Sequence, residues 1–123
     1  MDNQQARALY ERYLSAWNTT DMERRLDIAA EVLSGDIEYL TRNHDLSTGP
    51  KLVLEDMAAF HERFPGGHFE TGGVSAHHNV ALVTWVIIQA DGTEAARGPD
   101  LITVDGDGKI SKITTFPPLE DPN

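Results

Sequence analysis

From His68 onward the chain reads as four β-rich segments joined by connections of only three or four residues. The segments are His68 to Ala76, Val80 to Ala90, Glu94 to Val104 and Lys109 to Phe116. Between them lie His77-His78-Asn79, Asp91-Gly92-Thr93 and Asp105-Gly106-Asp107-Gly108. These connections are rich in residues that tolerate positive φ, so the segments are expected to pair as an antiparallel meander of hairpins. Pro117-Pro118 ends the last strand and leaves a loose acidic tail.

The first half has a different period. Leu9, Tyr10, Tyr13, Leu14 and Trp17 fall at helical spacing and predict a helix over 4–18. A second helix is expected from Thr20, where Thr20-x-x-Glu23 reads as a capping box. Its apolar stripe is Met22, Leu26, Ala29, Ala30 and Leu33, and Gly35 is the expected stop. Asp36 to Arg42 alternates as a short strand, Asn43 to Pro50 reads as a loop, and Val53, Met57, Phe60 and Phe64 mark a third helix over 51–64. Three helices followed by a meander indicate an α+β domain, with the helices covering one face of a curved, mostly antiparallel sheet. At 123 residues the chain is sized for one domain, 1–123, with an ordered core of about 4–117.

Composition removes several function classes. A formal net charge of −10 disfavours nucleic acid and anionic membranes, both of which require a basic patch. The one close basic pair, Arg24-Arg25, lies in a helical pattern and reads as a solvated face. The longest apolar run, Val80 to Ile88, falls far short of a bilayer span. No basic and apolar leader opens the chain, and there is no cysteine, so the expected compartment is the cytoplasm. Thiolate metal sites are excluded. The histidines, His44, His61, His68, His77 and His78, lack ligand spacing, and no metal is expected.

Asp100 is the candidate for chemistry. It opens the apolar run Leu101-Ile102-Thr103-Val104 directly after Gly98-Pro99. In an enclosed cavity, desolvation would raise its pKa and make it a proton donor or acceptor near neutral pH. The plainer alternative is a carboxylate paired with Arg97 or solvated at a strand end.

Several motifs together resemble a known family. They are Tyr13-Leu14-Ser15-Ala16-Trp17-Asn18 with Asp21, Tyr39, Gly49, Phe64-Pro65-Gly66, Phe69, His77-His78-Asn79, Trp85, Gly98 with Asp100, Asp107-Gly108-Lys109-Ile110 and Phe116. With these the chain is similar to the SnoaL-like polyketide cyclases, in the superfamily of nuclear transport factor two and ketosteroid isomerase. The resemblance implies a cone-shaped fold around an apolar pocket, a small hydrophobic carbonyl-type ligand, cofactor-free isomerase or cyclase chemistry, and a homodimer formed through the sheet. Steroid isomerases aim a tyrosine and a protonated aspartic acid at one oxyanion, and Tyr13 and Asp100 match those two positions. Trp17, Tyr39, His78, Trp85 and Phe116 would line the ligand site, although strand alternation also allows Trp85 to face the dimer side. The strand aspartate that serves such enzymes as a base falls on or near Thr41 here. A cone that keeps its pocket without catalysis, as a ligand-binding or dimerisation domain, is therefore the alternative.

Overall fold

The computed structural model describes residues 1–122. Its first helix, α1 (Asn3–Asn18), starts at a reciprocal cap: the Asp2 carboxylate accepts from the Gln5 backbone N–H, and the Gln5 side chain accepts from that of Asp2. The second, α2 (Met22–Val32), is capped by Asp21, whose carboxylate accepts from Glu23 N–H, so the cap sits one residue later than the expected Thr20 box. Arg25 is buried, and the expected solvated face belongs to Arg24 alone. The Arg25 guanidinium turns back to donate to the carbonyls of Ala16 at 3.2 Å and Thr19 at 2.6 Å, orphan acceptors at the end of α1. That contact fixes the helical hairpin and rotates α2. Ile28, Ala29 and Val32 face the core, while Met22 and Leu26 of the expected stripe are exposed.

The chain passes directly into β1 (Leu33–Thr41), so Gly35 lies inside a strand and does not stop the helix. The expected loop contains a further strand, β2 (His44–Thr48), paired antiparallel with β1. Its polar, mostly exposed residues carry no apolar alternation, which is why the pattern missed it. Then come α3 (Lys51–Arg63), β3 (His68–His77), β4 (Val80–Ile88), β5 (Glu94–Val104) and β6 (Ile110–Thr115). The strand order is β2-β1-β6-β5-β4-β3. The β3-to-β6 meander is antiparallel, and β1 closes onto β6 in parallel. Three helices packed on this strongly curled, mixed six-stranded sheet give the α+β cone expected from the resemblance.

Polar contacts hold α1 along the edge strand β3. Asn3 Oδ1 accepts from Ala76 N–H, Arg7 donates to the Gly72 carbonyl, and Asn18 both donates to and accepts from the Phe69 backbone. These groups would otherwise leave the strand edge open. Tyr10, Tyr13 and Trp17 are thereby set over the concave face of the sheet, and the first two are buried in the core. Among the described residues no helix is long and apolar enough to cross a membrane. The last residue of the acidic tail, Asn123, lies outside the described residues.

Candidate functional site

Register assembles the polar part of the site. Asp100 pairs with Val83 on β4 and with Thr115 on β6, and two residues earlier Gly98 pairs with Trp85. Residues opposite one another and residues two apart share a face, so Trp85, Asp100 and Thr115 all point to the concave side. Trp85 accordingly faces inward and not towards a dimer side. Its indole fits there because position 98 has no side chain: a Cβ on Gly98 would come within 2.6 Å of Trp85 Cζ2 and 3.1 Å of Cε2.

Asp100 is 4% exposed and meets α1 through Tyr10, whose hydroxyl donates to Oδ2 at 2.7 Å. Oδ1 is equally buried and has no hydrogen-bond partner. Neither plain alternative for this residue holds, because it is not solvated and Arg97 pairs with Glu94. Burial raises the carboxyl pKa to about 6; the Tyr10 hydroxyl acts in the opposite direction, followed by the Thr115 hydroxyl, which lies near the carboxyl but outside hydrogen-bond geometry. Burial, followed by the neighbouring Asp100, also pushes the Tyr10 and Tyr13 phenols well above their usual range. Both therefore stay protonated, and Tyr10 is the one that donates to Asp100.

These groups line a cavity of about 110 Å³. Six of its ten wall residues are aromatic: Tyr10, Tyr13, Trp17, Tyr39, Phe69 and Trp85. Leu14, Ile87, Thr115 and Asp100 complete it, so Asp100 is the one carboxylic acid and no basic side chain lines the wall. Of the side chains singled out from the sequence, Tyr13, Trp17, Tyr39, Trp85 and Asp100 come together here. His78 and Phe116 do not. His78 occupies the β3–β4 turn at φ 50°, exposed, with its ring against His77. Phe116 lies beyond β6 and is 45% exposed.

Tyr10 was not singled out from the sequence, although it stands in the same stripe as Tyr13. Choosing between them needs the depth at which α1 crosses the sheet, which the pins to β3 determine and periodicity does not. Thr115 follows from the β5–β6 register alone.

The Tyr39 hydroxyl is turned out of the cavity and donates to Asp56 Oδ2 on α3 at 2.7 Å. The same oxygen meets His44 Nε2 at 3.2 Å, and His44 Nδ1 meets the Thr41 hydroxyl at 3.4 Å. Thr41 and His44 thus belong to a chain of contacts behind the Tyr39 ring. A wider groove of about 480 Å³ between α2 and α3, walled in part by Met22, Leu26 and Leu54, contains no unpartnered buried polar atom. The smaller cavity has two, Asp100 Oδ1 and Trp85 Nε1, and is the candidate site for that reason.

Known proteins agree with this architecture. A candidate isomerase of the SnoaL-like family from Agrobacterium tumefaciens superposes with a TM-score of 0.84 at 26% identity, over 93% of this chain and 97% of that one. A candidate ketosteroid isomerase from Kribbella flavida gives 0.66 at 25% identity, over 98% and 84%. An NTF2-like protein of unknown function from Exiguobacterium gives 0.69 at 19% identity, over 94% and 99%, and shares the fold. No curated protein matches the chain. The sequence profile of the SnoaL-like domain matches residues 10–113, from the tyrosine that holds Asp100 to the middle of β6, and the chain belongs to that family.

Proposed function

We propose that this protein binds a small, neutral, carbonyl-bearing molecule in the aromatic cavity and moves a proton on it without a cofactor, with Asp100 as the acid/base group. The observation that carries this reading is Asp100 itself. It is buried in the cavity wall, fixed by Tyr10 through one oxygen, with the other oxygen buried and without a hydrogen-bond partner. With a pKa near 6 the carboxyl is about nine-tenths ionised at pH 7 yet returns a proton readily, the balance that acid/base catalysis requires. Lacking any cation, the wall favours an uncharged ligand over an anionic one.

The chemistry follows from one group in two states. Asp100 Oδ1 takes a proton from the carbon next to the carbonyl; the C–H electron pair becomes the enolate double bond, and the carbonyl π pair moves onto oxygen. Returning the same proton to a different carbon is an isomerisation, and using it to assist ring closure is a cyclisation. The likeness to candidate isomerases is consistent with either. The test is deuterium exchange at the α-carbon of a small ketone in D2O, followed by proton NMR. Catalysed exchange that is lost in Asp100→Asn supports the proposal, and exchange that survives unchanged overturns it.

The proposal includes a second copy of the chain across the outer sheet face, where Leu82 and its cross-strand partner Leu101 are 50% and 40% exposed. A cytoplasmic setting belongs to the same reading and suits a chain without cysteine.

A further inference from the structure

Trp85 contributes more than surface to the cavity. A buried indole N–H normally has a hydrogen-bond partner. Trp85 Nε1 is buried and has none. The edge of the ring that carries it, Cε2 and Cζ2, lies over Gly98, two residues before Asp100 on the same strand face. Diagonal neighbours on a sheet face are about 7–8 Å apart, within reach of a common small ligand. Trp85 and Asp100 both line the cavity, and each carries one buried polar atom without a partner: a permanent donor, Nε1–H, and the acceptor Oδ1.

Resting on the reading that the cavity binds a carbonyl compound, we infer that the Trp85 indole N–H donates to the ligand's carbonyl oxygen while Asp100 Oδ1 handles the α-proton, and that the part of the ligand seated in the cavity is one small ring or its short-chain equivalent. In this arrangement the two unmatched atoms serve opposite ends of one reaction. As Oδ1 takes the α-proton, negative charge collects on the carbonyl oxygen, and a donor already aimed at that position stabilises it without reorganisation. The size limit comes from volume. A dry apolar cavity of about 150 Å³ holds benzene, and this one, at about 110 Å³, is smaller, so it takes at most a single small ring and is too small to enclose a fused polycycle.

Cyclopentanone and methylenecyclopentane test the inference, because they share a shape and differ in the acceptor oxygen. The indole N–H resonances of the unaltered ¹⁵N-labelled protein are followed during titration, and the Trp85 signal is the one missing in Trp85→Phe. Cyclopentanone should move that resonance downfield, and methylenecyclopentane should not. Trp85→Phe should weaken cyclopentanone binding about tenfold more than methylenecyclopentane binding and slow α-proton exchange by roughly 100-fold. The bicyclic ketone 2-decalone should fail to bind.

Equal binding of the two probes, or an indole signal that responds alike to both, overturns the donor role. Tight binding of 2-decalone overturns the size limit. Binding of cyclopentanone with the indole shift but without α-exchange sustains the donor role of Trp85 and refutes the acid/base proposal, whereas failure of both probes to bind refutes both. The resonance measurement uses the unaltered fold, so it decides the donor role even if Trp85→Phe is poorly folded.

Discussion

Replacing Asp100 by asparagine retains the shape of the side chain and an acceptor for Tyr10, and removes the charge. The carboxyl has a pKa of about 6 in the fold, against 3.8 ordinarily, because burial disfavours its ionised form. That difference corresponds to about 3 kcal/mol. Its sign follows from proton uptake. Between pH 3.8 and about 6 the folded chain holds a proton that the unfolded chain has released, so raising the pH through this window destabilises the fold. The contribution is complete below pH 3.8, where both states are protonated, and is lost once the pH has risen through about 6. Wild type should therefore lose stability relative to Asp100→Asn as pH rises, by ~2 kcal/mol between about pH 4.5 and 8. Against a typical total of about 5–15 kcal/mol this is easily measured. Urea denaturation followed by tryptophan fluorescence at several pH values gives the two curves. Their difference removes the remaining carboxylates, which titrate alike in both proteins. A flat difference would refute the burial argument. A wild type that gains on the variant as pH rises would show instead an ionised Asp100 stabilised by its surroundings.

Three further substitutions have definite expected outcomes. Tyr10→Phe removes the 2.7 Å hydrogen bond to Asp100 and leaves both oxygens without that donor; it should cost about 1.5–3 kcal/mol at pH 8 and raise the Asp100 pKa further, seen as a carbon-13 carboxyl titration displaced to higher pH. Gly98→Ala forces a Cβ to 2.6 Å from Trp85 Cζ2 and 3.1 Å from the Phe116 carbonyl. It should destabilise by about 1–3 kcal/mol and shift the Trp85 indole resonance in the free protein; an unshifted resonance would contradict the seating of the ring. Leu82→Asp puts a charge on the outer face of β4 and should convert a dimer to monomers in sedimentation equilibrium without changing α-proton exchange, whereas an unchanged association state would place the interface elsewhere.

The parts of the fold that could be read from the sequence are those where apolar period and turn chemistry agree. The β3–β6 meander is such a part, since Gly92 and Gly108 adopt positive φ at the turns where the sequence put them. So is α3, with Val53, Met57 and Phe60 buried. The misreadings have a common physical origin in tertiary contacts that override local pattern. Arg25 is charged yet buried because the end of α1 offers it two carbonyls, and with it α2 turns Met22 and Leu26 to the outside. β2 carries no apolar code because it is held by β1 and not by the core. At the site, Asp100 was conspicuous as an acid beside apolar residues. Its real partner, Tyr10, lies one helical turn from Tyr13 in the same stripe, and only the seating of α1 on β3 separates them.

The placement of Asp100, Trp85 and Thr115 on neighbouring rungs of β4, β5 and β6 has a consequence for how this site can vary. Their relative positions are set by the backbone ladder, and a slip of one residue on any of these strands would turn its group to the outer face. The rungs that fix the site also fix the core, since Val83, Ile102 and Ile113 belong to the same inward-facing set and are buried. Register is thus under stability constraint, independent of any ligand. Tyr10 is different, because it comes from a helix that packs on the sheet through its apolar face and is positioned along β3 by a few polar contacts. Weakening those contacts would move the phenol relative to a carboxyl that stays where the ladder holds it. The property most open to adjustment in this architecture is therefore the pKa of Asp100, through the seating of α1.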